Sequence, residues 1–556
     1  MKTKNEKRRS LCEEYIGLYR SALAVNSEYF EQLEGFMRQY LGSFELDGAK
    51  ENATTVRNIT YEIIESQIDP DIPTPKAEAE VFGERSEVCE RSIERLCRSV
   101  RQKLPFEQLN DLDERYTYIY GGSVWYIEWD NTLGGGIRIH CLSPLDFIPE
   151  PGVCRVEDMR YCFLKFTTTR SELVSRYGAS QDDVALADCE YRYSETSCDE
   201  DTVTVVICLY RDEDGDICKL VFSGNLILAD IPKCFIRRIP TSEGEELLET
   251  PTELIDGALI EGEEDGLYAV PYYVPREFPI VIRQNIKTSP SLFGLSDCER
   301  IRPEQQAINK VESRILKKLL RSGVTPVIPE DAAITLGNSI FGEIIRMRPG
   351  ESLDNYGKLD TTPDISQDIM EADRLYDHAK RVLGISDALQ GLDNTQVESG
   401  FARQLKINRA SSRLETKKRM KYLAYANIYR HIFLQYLAFS DEPKSLDYKD
   451  TFGNIKRACF NRYDFIERGE NNALSYLDKF IFSVDLNGGS EYSRELLWER
   501  NLSNLESGTL GDKKSPLTLL RYWQLQERAH YPFAKENVEH FKALAEEERA
   551  KTQITQ

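Results

Sequence analysis

Catalysis or metal binding by this 556-residue chain would have to be built from five histidines, thirteen cysteines and 93 acidic residues. His140, His378, His431, His530 and His540 fall in no motif that sets a base beside a nucleophile, and each reads as a satisfied or exposed side chain. The sequence has no Gly-rich phosphate loop ending in Gly-Lys-Ser/Thr, no HExxH zinc helix and no GxSxG nucleophile elbow. The cysteines are odd in number, run from Cys12 to Cys459 and include no CxxC pair, so reduced and mostly buried thiols are expected rather than a disulfide framework or a zinc site. Carboxylates remain. Acids far apart in sequence can meet in a fold, which leaves a metal-dependent, carboxylate-based nuclease as an alternative function. Acidity is densest over 239–275, where ten Asp and Glu occur with no Lys or Arg. That segment lacks the alternating carboxylates of a calcium loop and reads as a solvated surface loop. No cofactor and no metal site is expected.

Two polar stretches carry the strongest binding signals. Over 384–400, Gly384, Gly391 and Gly400 punctuate a segment bearing Asp387, Gln390, Asp393, Asn394, Gln396 and Glu398. Glycines permit backbone conformations that other residues resist, and composition leaves open whether this loop moves or only connects. Residues 401–421 then hold eight basic side chains (Arg403, Lys406, Arg409, Arg413, Lys417, Lys418, Arg419 and Lys421) against the single acid Glu415, a local charge of +7. Two readings stay open for it: a helix face that is solvated or paired with acids of a neighbouring subunit, and a phosphate contact. The aromatic series Tyr422, Tyr425, Tyr429, Phe433 and Tyr436 continues the same helix and reads as packing.

Length, charge and periodicity set the frame around these stretches. A chain of this size is expected to divide into several subdomains. Its net charge of −22 disfavours wrapping nucleic acid over the whole surface, because counterion release needs clustered Lys and Arg. Apolar runs such as 203–210 and 220–228 are too short to span a bilayer, and the first twenty residues lack the apolar core of a signal peptide, so no membrane partner and a location in the cytoplasm of synthesis are expected. Helical spacing covers 10–42, 58–67 and 77–103, with a break at the proline-rich 69–75. Beyond it the period falls to two. Residues 124–130 and 137–142 read as a hairpin, and 160–167, 202–211 and 218–228 as further strands, the last two separated by the DEDGD turn.

After the extended FPIVIRQN at 278–285 the pattern returns to helix. Ser296 and Glu299 form a capping box, with Pro303 as a second candidate for the first turn, and Ile308, Val311, Ile315 and Leu319 line one face. Short extended runs with four prolines fill 324–364, as in a small β-containing insert. A second helix follows over 365–383 with Ile369, Ala372, Tyr376, Ala379 and Leu383 on one face.

With YGGSVWYIEWDN, LSPLDFIPEPG, FPIVIRQN and SLFGLSDCERIRPEQQAINK, and the order helix, insert, helix, loop and long helix, the chain resembles the bacteriophage portal proteins, or head-to-tail connectors, of long-tailed phages of Gram-positive hosts. The resemblance spans about residues 50–500 and lies in order more than in identity. It implies an α+β subunit: 1–119 and 120–294 as helical and β-rich parts of a wing with antiparallel strands, 295–322 and 365–383 as stem helices, and 323–364 as the clip. It further implies 384–400 as a tunnel loop, 401–493 as a long wing helix with following strands, and 494–556 as a helical crown. The acidic segment 239–275 has no counterpart in the family pattern. The implied function is a ring of identical subunits, usually twelve, at one capsid vertex, through which double-stranded DNA is packaged and ejected without sequence specificity. Implied partners are further copies of the chain, the large subunit of the packaging terminase, the head–tail adaptor, and the major capsid and scaffold proteins. Implied contact residues are the loop side chains from Asp387 to Glu398, the basic Arg403, Lys406, Arg409 and Arg413, and Glu330, Asp331, Phe341, Arg346 and Arg348 of the clip. Such a protein is not an enzyme; it works in the virion and, during assembly, in the host cytoplasm. Another ring-forming virion component of the tail is the remaining alternative.

Overall fold

The computed structural model describes residues 4–43, 57–80, 86–130, 135–184, 187, 202–236, 238–241, 244–247, 252–257, 260, 266–288, 291–320, 324–327, 357–360, 364–385, 415–449, 455–468, 473–485, 491–528, 531 and 534–554. The protein is α+β, 51% helical and 25% strand, with antiparallel sheets. It divides into two compact units. One comprises 1–33, 68–295 and 415–556, the other 34–67 and 296–414.

The larger unit is organised around the strand Gly122–Asp130, which pairs antiparallel with Ile280–Gln284 on one edge and Gly136–Leu142 on the other. Because successive side chains of a strand point to opposite faces, its residues enter two cores. Trp125 and Ile127 join Ile93, Leu96 and Cys97 of the helix Ser86–Lys103 and Tyr425, Tyr429 and Phe433 of the helix Glu415–Phe439. Val124 and Tyr126 join a second core with Phe147, Leu164, Val205, Ile207 and Val221. That core belongs to a five-stranded antiparallel meander, Phe147–Pro149, Tyr161–Thr169, Thr202–Arg211, Ile217–Ser223 and Leu226–Ile231, in which each strand pairs with the next. The aromatic series of the long helix is packing, as its spacing implied: Tyr425, Tyr429 and Phe433 are inaccessible, and the Tyr425 and Tyr429 hydroxyls donate to Asn110 Oδ1 at 2.9 Å and to the Pro73 carbonyl at 2.7 Å.

Several sequence expectations are corrected. Residues 218–228 are not one strand: the chain turns at Gly224 (φ 59°) and Asn225, and Ile217–Ser223 pairs back with Leu226–Ile231. The helix expected over 77–103 starts at Ser86. Thr74–Ala79 is instead a strand paired with Phe480–Asp485, where ladder hydrogen bonds to a distant segment override the helical preference of Ala and Glu. The helix Phe106–Tyr120 is an element beyond those that the periodicity predicts. The acidic segment is not simply a solvated loop. It contains the pairs Arg238–Thr241 with Gly244–Leu247 and Thr252–Asp256 with Leu267–Pro271, and Glu253 is buried against Arg462 and accepts the Tyr476 hydroxyl at 2.6 Å. The C-terminal part, expected to be helical over 494–556, holds the helices Glu491–Glu506, Pro516–Arg528 and Ala534–Ile554. Among the described residues no helix is long and apolar enough to cross a membrane, and eleven cysteines are free thiols.

Candidate functional site

The smaller unit is built on two helices, Asp297–Leu320 and Ser366–Leu383. Ser296 caps the first, its hydroxyl accepting the Glu299 N–H at 3.3 Å, which settles the start that Pro303 had left open: Pro303 lies inside the helix. Gly384, in the left-handed region at φ 78°, caps the second and donates to the Arg381 carbonyl. Between them Val324–Val327 pairs antiparallel with Gly357–Asp360, so two helices bracket a strand-paired insert.

Apolar and charged contacts lock the pair. Ile301 and Ile308 pack on Tyr376, Ala379 and Leu383 together with Ile59 and Ile63 of the short helix Ile59–Glu65. Asp368 receives ion pairs from both Arg314 and Lys318; the Lys318 hydrogen bond is the main cause that holds its carboxyl below the usual range. His378 Nδ1 lies 2.9 Å from Glu304 Oε1, and the Tyr376 hydroxyl donates to Glu62 while the Arg57 guanidinium sits 4.9 Å above its ring. The expected apolar stripe is interior only in part: Ile308 and Val311 are buried, whereas Leu319 and Ile369 are about half exposed.

A fully buried amide, Gln305, ties Ile59–Glu65 to the first helix. Its Oε1 accepts the Thr60 backbone N–H and hydroxyl, both at 3.0 Å, and its Nε2 donates to the Arg57 carbonyl at 2.7 Å and Asn309 Oδ1 at 2.9 Å. Gln305→Leu would strand these partners inside the unit, and is expected to lower stability by about 1–3 kcal/mol, read as a lower urea midpoint at unchanged slope.

In the larger unit the C-terminal part of the basic island turns inward. Lys421, 1% exposed, lies 3.1 Å from Glu114 Oε1 and donates to the Asp69 carbonyl at 2.9 Å. Lys418 lies 3.3 Å from Asp69 Oδ2, and Lys417 is buried with its ammonium 4.8 Å from the Tyr118 ring centre. Arg419 points outward. This part of the helix is thus neither a solvated face nor one left for acids of a neighbouring subunit: the acids that pair with Lys418 and Lys421 come from the same chain. Glu114 is fully buried; burial alone would raise its pKa, but Arg283 and Lys421 outweigh that and hold it below the usual carboxylate value.

Other charged groups are likewise engaged. Among the described residues, the three carboxylates close enough to share a cation are Asp212, Asp214 and Asp216 of the DEDGD turn, with ligand oxygens within 4.8 Å of one another. The Lys233 ammonium occupies that position, 2.6 Å from Asp214, 3.1 Å from Asp216 and 3.6 Å from Asp212, and its hydrogen bonds to Asp214 and Asp216 raise its pKa. Glu128, almost inaccessible, accepts from Lys219 at 2.8 Å, Arg176 at 3.1 Å and the Tyr126 hydroxyl at 3.1 Å; burial would raise its pKa, but Lys219 and His140 reverse the sign. His431 is buried, and burial lowers its pKa to about 4, so it is neutral at physiological pH. Sequence reasoning missed Asp113, Glu114 and Arg283 altogether, because nothing local marks a surface-like Asp-Glu-Arg as interior.

The contact residues implied by resemblance, Asp387, Gln390, Asp393, Asn394, Gln396 and Glu398, then Arg403, Lys406, Arg409 and Arg413, and Glu330, Asp331, Phe341, Arg346 and Arg348, lie outside the described residues. Comparison with protein-family models and with curated proteins found no match to the chain.

Proposed function

We propose that this chain is a structural subunit that closes into a ring around a channel for double-stranded DNA, the portal of a phage head. The observation that carries the proposal is the chain order Asp297–Leu320, a strand pair, Ser366–Leu383 and Glu415–Phe439, with the last helix buried in an α+β body. A helical pair bearing a small strand module suits a throat with a docking tip, and it is the order that the resemblance to portal proteins requires. Charge favours a conduit over a clamp. Twelve copies at −22 bring −264 to a ring, so a phosphate backbone would be repelled by any lumen that shares this charge, and DNA could slide without sequence preference. On this proposal the chain performs no chemistry itself. A terminase docked at the insert supplies the energy, the head–tail adaptor later takes the same position, and capsid and scaffold proteins hold the ring at one vertex of the virion.

Purified protein is expected to give rings with a central hole in negative-stain electron microscopy, and particle masses near twelve chains by native mass spectrometry. A monomer at every concentration and salt would overturn the proposal. So would magnesium-dependent cleavage of plasmid DNA that tracks with the pure chain, which would favour a nuclease.

A further inference from the structure

Glu128, on the strand Gly122–Asp130, is surrounded by more positive charge than it needs. Arg176 of the helix Arg170–Tyr177 donates to its Oε1 at 3.1 Å, and Lys219 donates to its Oε2 at 2.8 Å. Arg138 stands opposite it in the sheet and lies 2.7 Å from Asp130. Three cations thus serve two buried acids, a surplus of one. Arg138 and Arg176 keep 31% and 30% of their side chains accessible, and among the described residues each is held to its acid through Nη2 alone. Both line, with His140, a pocket of about 130 Å³ whose apolar part comes from Phe166, Leu173 and Ile207. A cavity of about 150 Å³ takes up benzene, so this one has room for about six non-hydrogen atoms. The remaining acid of the lining, Glu172, is exposed and accepts the Thr168 hydroxyl at 2.6 Å, so water screens its charge. Guanidinium forks match the two oxygens of a carboxylate, and two of them beside an apolar wall suit an anion with an apolar tail.

We infer that this pocket binds a small monocarboxylate with a short alkyl tail, its carboxylate across Arg138 and Arg176 and its tail on Phe166, Leu173 and Ile207. Inorganic phosphate satisfies the arginines but leaves the apolar wall bare, and an amide of the same shape lacks the charge. The inference goes beyond the proposed channel function and stands whether or not the chain forms rings.

Ligand-observed NMR titration of the full chain with butyrate and with butyramide, the same shape without the charge, tests it, with inorganic phosphate added as a competitor. Butyrate is expected to bind in the millimolar range, as about six atoms allow, and about tenfold more tightly than butyramide, the ratio that one charge-assisted hydrogen bond supplies. Phosphate should bind about threefold or more weaker than butyrate, because it gains nothing from the apolar wall. Arg176→Gln leaves Glu128 paired with Lys219; it should weaken butyrate about tenfold and leave butyramide unchanged. The inference is overturned if butyrate does not bind at tens of millimolar, if butyramide or phosphate binds as tightly, or if Arg176→Gln keeps the wild-type affinity for butyrate. Should the variant fail to fold, the wild-type comparison of butyrate with butyramide decides the matter on its own.

Discussion

Arg283→Met is expected to destabilise the larger unit by about 3–5 kcal/mol, a large share of what holds a domain together. Arg283, Asp113, Glu114 and Lys421 are each no more than 2% exposed, and they balance two cations against two anions. Arg283 donates through Nη1 to Asp113 and, at 2.8 Å, to Glu114 Oε1, and Lys421 lies 3.1 Å from that same Glu114 oxygen. Asp113 also accepts the Ser123 hydroxyl and, at 2.8 Å, the Trp125 indole N–H. Burial is tolerable because every charge faces its opposite; removal of one cation leaves a carboxylate with no counter-charge and no water. Arg283→Met combined with Asp113→Asn should regain at least half of the loss, since the amide oxygen still accepts from Ser123 and Trp125 and the charges balance again. If the double variant is no better than the single, the deficit comes from lost packing and the electrostatic account fails. The pH dependence has a definite sign. The folded-state pKa of Glu114 is depressed, so its contribution is fully present above its unfolded value of about 4.3 and is lost as pH falls through the folded value. Wild-type urea midpoints should therefore decline below about pH 4, and the gap between wild type and Arg283→Met should narrow as they do.

Where structure is set by neighbours in sequence, the chain could be read directly. Ser296 and Glu299 announced a helix start, the apolar spacing over 365–383 a second helix, and the alternation over 124–130 a strand. Where structure is set by partners far away, it could not. Thr74–Ala79 is a strand only because Phe480–Asp485 lies beside it. Lys417, Lys418 and Lys421 looked like a basic face, yet Asp69, Glu114 and the Tyr118 ring, hundreds of positions earlier, turn them inward. The carboxylates of the DEDGD turn have the look of a cation site until Lys233 is seen to fill it. Period and capping are local signals; the pairing of charges is not, and for that reason the elements of the helical pair were more legible than the side chains that anchor the long helix.

Gly121→Ala is expected to cost about 2–5 kcal/mol and to reduce soluble yield sharply, the sum of a left-handed backbone penalty and an overpacked contact. Gly121 ends the helix Phe106–Tyr120 at φ 86°, its N–H bonded to the Thr117 carbonyl, and its own carbonyl accepts the N–H groups of Asn285 and Gly294, both at 3.0 Å. A Cβ there would overlap the Gly294 carbonyl oxygen and lie 2.9 Å from its carbon. Gly122 has the same problem against the Arg283 carbonyl at 2.7 Å, and Gly294 against that of Ile286 at 2.7 Å. Three backbones thus meet where no side chain fits, which is why YGGS at 120–123 and FGL at 293–295 carry glycine. The obstruction is main chain on main chain, so no rotamer change relieves it. The contrasting substitution is Gly35→Ala in the helix Ser27–Leu41, where a Cβ meets nothing within 4 Å and replaces a poor helix former, and which should stabilise by about 0.5–1 kcal/mol. One methyl group is therefore expected to act with opposite sign at the two positions. Equal urea midpoints for Gly121→Ala and wild type would show that the three segments do not stack as described, and would remove the physical reason for the glycines in two of the motifs on which the portal resemblance rests.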